Sequence, residues 1–188
     1  GSAIGGDLSS SLARHSLSVP VQVNRNYTLP SWVNNETLVI CSSYSGNTEE
    51  SLSAYHEALS KGSKIVGIST GGELTSCLKK NNFDFVIVPS GLQPRAAVSF
   101  SFIPLLYILN EINVINPSLI RKIESASKKI KNYTQKYCTT EDTNPTYALA
   151  KKIHNTLPII YGESDLTSAI ALRWKGQLCE NSKMLAYH

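Results

Sequence analysis

Three apolar runs limit what this chain can become. Leu38-Val39-Ile40-Cys41, Lys64-Ile65-Val66-Gly67-Ile68 and Asp84-Phe85-Val86-Ile87-Val88 are short, β-branched and nearly continuous. Helix-like segments separate them. That alternation is the pattern of a parallel sheet covered on both faces. Val19–Val23 and Leu157–Tyr161 read as further strands. Helices are expected over 3–15, 48–61, 73–81, 95–112, 117–137, 145–155 and 165–180. Gly62 is placed to close the second helix as its C′ residue. Gly71-Gly72 opens the third, Pro94 precedes the fourth, and Pro104 inside the fourth predicts a kink. The expected fold is an α/β doubly wound parallel sheet flanked by helices.

The stretch Ser43-Tyr44-Ser45-Gly46-Asn47-Thr48 directly follows the first of these runs and directly precedes Glu49-Glu50-Ser51-Leu52. It is a hydroxyl-rich turn between a buried strand and a helix. Helix N-termini carry unpartnered N–H groups and partial positive charge. Ser and Thr hydroxyls beside such an end suit a phosphate group. The turn holds no lysine and no Walker spacing, which argues against a nucleotide P-loop and for a small phosphate ester. In a doubly wound sheet, ligands sit outside the carboxyl ends of the strands. Ser43–Thr48, Ser69–Gly72 and Ser90–Arg95 all fall there, so three candidate binding loops share one rim.

At 188 residues with 41% apolar content, the chain has material for one ordinary domain. A formal charge of +4 is mild, and Lys128-Lys129-Ile130-Lys131 reads as a solvated helix face rather than a nucleic-acid surface. Cys41, Cys77, Cys138 and Cys179 form no CxxC pair. Neither a disulfide scaffold nor a zinc site is expected, and the thiols point to a reducing, cytoplasmic compartment. No apolar run is long enough for a membrane span. His15, His56, His154 and His188 share no ligand spacing, so no metal is expected. HExxH and GxSxG are absent from the sequence, which leaves metalloprotease and serine-hydrolase chemistry without support.

The polar stretch 113–146 divides the chain. The expected organisation is a first subdomain over 1–115, a helical connection over 116–156, and the start of a second, similar subdomain over 157–188. The sequence begins at Gly1-Ser2 and ends at Tyr187-His188, and is expected to be a fragment of a longer chain.

Two charged residues stand out. Arg95 follows Ser90-Gly91-Leu92-Gln93-Pro94, and the proline fixes the backbone before it. An arginine at a helix start opposes the dipole. It is either an ordinary helix-start residue or a guanidinium aimed at an oxyanion or phosphate. Glu180 ends the helix whose Leu166, Ile170, Trp174 and Leu178 suggest a core face. A carboxylate there is disfavoured by roughly 0.3–1 kcal/mol. It is either a surface glutamate at a frayed end or a group that takes up and returns a proton. Asp7 follows the small residues Gly1 to Gly6, a stretch that suits either close helix packing or close approach of a ligand.

Four stretches together resemble the bifunctional phosphoglucose/phosphomannose isomerase branch of the phosphoglucose isomerase superfamily, built on the sugar isomerase (SIS), flavodoxin-like fold. They are Gly1–Asp7, Ser43–Glu50, Pro94–Ala97 and Arg173–Lys183, and they occur in family order. SxSGxT is common to SIS domains; the proline-arginine and Glu-Asn-Ser-Lys segments narrow the match. The resemblance implies that Ser43, Ser45 and Thr48, with Gly46, Asn47 and nearby amides, hold a sugar phosphate. It implies that Ser2 lines the sugar site, that Glu180 shuttles a proton between C1 and C2, and that Arg95 stabilises the cis-enediolate. The family's ring-opening histidine and a late lysine fall beyond His188, and His188 takes neither role. A homodimer with no metal or organic cofactor is implied.

Two other functions share parts of this pattern. A non-catalytic SIS module binds a sugar phosphate as a sensor, and members of that class usually carry a helix-turn-helix domain, which is not visible here. The isomerase half of a glucosamine 6-phosphate synthase needs an ammonia source and a glutaminase domain, and this sequence offers neither.

Overall fold

Strands β1 (Leu38–Ser42), β2 (Lys64–Ser69) and β3 (Asp84–Ile87) pair in parallel in the order β1-β2-β3. The computed structural model describes residues 2–165 and 167–188, apart from the side chain of residue 135. Val39 pairs with Ile65 and Cys41 with Gly67; Gly67 in turn pairs with Phe85. Because the strands run the same way, the loops that leave Ser42, Ser69 and Ile87 emerge on one rim, as expected.

Helices α1 (Ala3–Ala13), α2 (Glu49–Ser60), α3 (Gly72–Lys80), α4 (Val98–Glu111), α5 (Ser118–Tyr137), α6 (Pro145–Ile153) and α7 (Ser168–Asn181) complete the element order. Successive strand side chains point to opposite faces. Val39 and Cys41 pack with α2 and α3, against Tyr55, Ala58, Leu74 and Leu78. Ile40 packs on the other side, against Leu106, Leu109 and Ala13 of α4 and α1. Both faces of β1 are therefore covered, which is why it reads as an unbroken apolar run. Gly67 lacks a side chain because Leu78 occupies the space: a Cβ there would lie 2.1 Å from its Cδ1.

The end of α2 shows how local sequence stops a helix. Gly62 has φ +67°, its N–H donates to the Leu59 carbonyl at 3.1 Å, and Ser63 N–H donates to Ala58 at 3.0 Å. These two bonds form a Schellman motif around the left-handed glycine.

Cys41 is 5% exposed, and burial pushes its thiol up to about 12. The thiolate is the reactive species. At pH 8 only about one part in 10⁴ of this thiol is ionised. Cys138 is exposed. Alkylation followed by mass spectrometry is expected to label Cys138 in the native chain and Cys41 only after denaturation. Equal labelling rates at the two sites would contradict this packing.

Four expectations need correction. Val19–Val23 is not a strand. Pro20 removes a ladder donor, and Val21 packs against the α1–α4 cluster instead of a neighbouring strand. Leu157–Tyr161 forms only one parallel bridge, Ile159 to Tyr187, so among the described residues the sheet has three strands rather than five. The helix placed over 95–112 is interrupted: Pro94–Ala96 is a 3-10 turn, and α4 starts at Val98. Arg95 thus precedes α4 rather than opening it, and the dipole argument does not apply to it. Finally, Ile170 and Trp174 do not form a core face of α7. They are 51% and 46% exposed, whereas Ala169 and Ala171 are buried. Leu166, expected on the same face, lies outside the described residues.

Candidate functional site

The turn after β1 is rigid because its polar groups satisfy one another. Ser43 is 1% exposed, and its Oγ accepts from Gly46 N–H at 3.1 Å and lies 2.8 Å from Thr48 Oγ1. Its own N–H continues the ladder to the Ile68 carbonyl. Gly46 has φ +73°, and a Cβ would stand 1.9 Å from the Gly71 carbonyl oxygen. Gly72 has φ +70°, and its Cβ would stand 2.6 Å from both Ser45 O and Asn47 Oδ1. Glycine is required at both places, because two rim turns meet backbone to backbone.

Three hydrogen bonds lock that meeting. Thr70 N–H donates to Tyr44 O at 3.0 Å, Leu74 N–H to Gly46 O at 2.9 Å, and Glu73 N–H to Asn47 Oδ1 at 2.9 Å. Asn47 therefore supplies α3 with a cap from a different loop, and its side-chain oxygen is already engaged. Ser45 is exposed, and its Oγ accepts from Asn47 N–H at 3.2 Å.

Thr48 occupies the N-cap of α2 with extended backbone, φ −74° and ψ 120°, but its hydroxyl faces Ser43 and caps nothing. The first-turn amides of Glu49, Glu50 and Ser51 consequently find no acceptor among the described residues. Exposed Ser45 and Thr48 flank them. Unpartnered donors and hydroxyls at the positive end of a helix are the groups that favour an anion. The acids of that first turn lie near Tyr27: its OH donates to Glu49 Oε2 at 3.2 Å. The Glu50 charge, then that hydrogen bond, holds the Tyr27 hydroxyl above its ordinary pKa.

Ser2 joins the site from α1. Its Oγ accepts from Tyr44 N–H at 3.1 Å. Gly5 permits this approach, since a Cβ there would clash with Ser101 of α4 at 2.4 Å. Close helix packing therefore accounts for Gly5, while Gly6 lies against Val23. Gly1 lies outside the described residues. Asp7 is engaged by Arg25 in an ion pair.

Arg95 is exposed in its 3-10 turn, and what fixes the turn is the Arg95 carbonyl. It accepts from Gln177 Nε2 at 2.8 Å and from the Arg173 guanidinium, both on α7. Glu180 is exposed and follows Gln177 by three residues and Arg173 by seven. At 3.6 residues per turn these three side chains share one side of α7, with Glu180 about 4.5 Å beyond Gln177 along the axis. The Glu180 carbonyl accepts from Lys183 Nζ at 2.7 Å. The structure thus brings the Arg95 turn onto the side of α7 that bears Glu180. Among the described residues no ion pair joins the Arg95 and Glu180 side chains to each other.

Sequence reasoning missed three residues that assemble this rim. Arg173 and Gln177 hold the Arg95 turn. Tyr44 ties the serine turn to the loop leading to Arg95: its OH donates to Pro89 O and accepts from Leu92 N–H, each at 3.1 Å. Its ring stacks on Phe100, with centroids 6.2 Å apart and planes 6° from parallel. The available signal was an aromatic residue between two rim serines.

Known proteins match this arrangement along the whole chain. The bifunctional phosphoglucose/phosphomannose isomerase of Caldicellulosiruptor bescii is 50% identical over 189 aligned residues, covering 100% of this chain and 56% of that protein. The protein of the same name from Aquifex aeolicus is 36% identical, covering 100% of this chain and 55% of that one. The chain spans about half the length of these curated relatives. The C-terminal domain of glucosamine-fructose-6-phosphate aminotransferase from Francisella tularensis superposes with a TM-score of 0.76. It covers 99% of this chain and 54% of that one, and its 16% identity speaks to fold alone. Residues 142–188 match the profile of the bacterial phospho-glucose isomerase C-terminal SIS domain. The parallel sheet is that of SIS-domain structures, and along its full length this chain is similar to about half of the bifunctional phosphoglucose/phosphomannose isomerases it matches.

Proposed function

We propose that this chain carries the substrate-holding part of an aldose–ketose isomerase that interconverts glucose 6-phosphate or mannose 6-phosphate with fructose 6-phosphate. The observation that carries the reading is the clamp of the Arg95 carbonyl by Arg173 and Gln177, on the side of α7 that bears Glu180. The phosphate rests on the free amides of α2, with the Ser45 and Thr48 hydroxyls beside it. Ser43 and Asn47 shape that site from behind, and Ser2 holds the turn at Tyr44.

With the anionic tail fixed, C1 and C2 of the open-chain sugar reach toward α7. Glu180 removes the proton from the carbon next to the carbonyl and returns it to the neighbouring carbon. Negative charge develops on the enediolate oxygen between these steps, and the Arg95 guanidinium stabilises it there. One carbon is oxidised as its neighbour is reduced, so the reaction needs no external electron acceptor. The reading includes a homodimer, and exposed Ile170 and Trp174 on α7 offer an apolar surface to a second copy.

A coupled assay tests the proposal, using a version extended past His188 to the length of its relatives. Fructose 6-phosphate is expected to yield both glucose 6-phosphate and mannose 6-phosphate. Formation of neither product would end the isomerase reading and leave a sugar-phosphate-binding module in its place.

A further inference from the structure

We propose that Tyr44 is a positioning residue that couples occupancy of the serine turn to the placement of the Arg95 loop. This rests on the reading of that turn as an anion site. Tyr44 lies between Ser43, whose hydroxyl is locked inside the turn, and Ser45, whose hydroxyl faces solvent beside the free α2 amides. The Tyr44 backbone is held on both sides, its N–H donating to Ser2 Oγ and its carbonyl accepting from Thr70 N–H, and a ligand that orders Ser45 and the α2 terminus tightens that hold. The phenol then transmits that order. Its OH closes on Pro89 O and Leu92 N–H, which lie 45 and 48 residues away in sequence. The loop so held runs directly into Pro94–Ala96.

The downstream end of the loop is already fixed, since the Arg95 carbonyl is held by α7. The upstream end has Tyr44 as its tie to the anion turn. Phe100 supports the ring on its other side, so the hydroxyl is aimed and not merely near. Coupling between two sites is reciprocal. Phosphate binding therefore orders the Arg95 loop, and a loop that has lost its tie weakens phosphate binding by the same factor.

Amide hydrogen exchange tests this on the chain itself and on Tyr44→Phe, each with and without saturating inorganic phosphate. The substitution keeps the ring and its stack and removes only the hydroxyl. In the wild-type chain phosphate is expected to slow exchange both at Glu49–Ser51 and across residues 89–97. In Tyr44→Phe the slowing at Glu49–Ser51 remains, whereas residues 89–97 exchange about tenfold faster and ignore phosphate. Unchanged protection of the β1–β3 amides shows that the variant is folded. If phosphate protects Glu49–Ser51 but residues 89–97 do not respond in the wild type, or respond equally in the variant, the coupling is overturned and the anion site stands. If phosphate protects Glu49–Ser51 in neither protein, the anion reading fails and the coupling falls with it.

Discussion

Glu180→Gln is expected to lower sugar-phosphate turnover by about 10²–10⁴-fold, the usual contribution of a positioned general acid or base. That corresponds to about 3–5.5 kcal/mol of transition-state stabilisation. The amide has the shape of the carboxylate and cannot take up the proton. Sugar-phosphate affinity is expected to hold within about twofold, because the anion site is formed by α2 and the serine turn rather than by α7. Stability is expected to change little, since the Glu180 side chain is exposed and only its carbonyl is engaged, by Lys183. Steady-state kinetics and calorimetric binding on the extended chain separate these quantities. Turnover within tenfold of the wild type would assign the proton shuttle to another group.

Gly46→Ala is expected to destabilise the fold by about 2–5 kcal/mol. Two costs add. A non-glycine residue in left-handed backbone costs about 1–2 kcal/mol, and Gly46 has φ +73°. Crowding a packed site costs about 1–3 kcal/mol more. Here the new Cβ meets a backbone oxygen 1.9 Å away, which no rotamer change relieves. Against a typical total of about 5–15 kcal/mol this is a large fraction. Urea unfolding is expected to show a lower midpoint with an unchanged slope. Gly176→Ala supplies the opposite sign. That glycine lies inside α7 with nothing within 4 Å of its would-be Cβ. Alanine there is expected to stabilise by about 0.5–1 kcal/mol. A Gly46→Ala midpoint equal to the wild type would mean that the two rim turns do not meet as described.

Legibility followed the range of the interactions. Lys61-Gly62-Ser63 announced the end of α2 because a Schellman motif is written in neighbouring residues. Ser43–Thr48 announced a turn with free helix-start amides because strand, turn and helix start adjoin in sequence. The second strand was readable because burial on both faces leaves no alternation to misjudge, whereas the third is an edge strand whose Ile87 is 53% exposed and was readable from its β-branched run alone. Val19–Val23 misled because β-propensity measures a fit to neighbours, and this segment lies against α1 and α4 instead of a strand. The α7 face misled for a related reason. Ile170 and Trp174 have helical spacing, but periodicity does not say which side another element covers. Ala171 lies close under Gly162, where a glycine Cβ would stand 2.9 Å from that of the alanine, and so the small residues face inward. The clamp on Arg95 was out of reach altogether. Its partners are 78 and 82 residues away, and the acceptor is a carbonyl that every residue possesses.

The most direct measurement is a crystal structure of the extended chain with fructose 6-phosphate bound. The phosphate is expected on the Glu49–Ser51 amides. One Glu180 oxygen should lie in proton-transfer contact with the C1–C2 unit, about 3–3.5 Å from the carbon whose proton it moves. The Arg95 guanidinium should contact the oxygen that bears the enediolate charge. A sugar whose phosphate sits on those amides while Glu180 and Arg95 face away from C1 and C2, in the chain and in any assembled copy, would contradict the account.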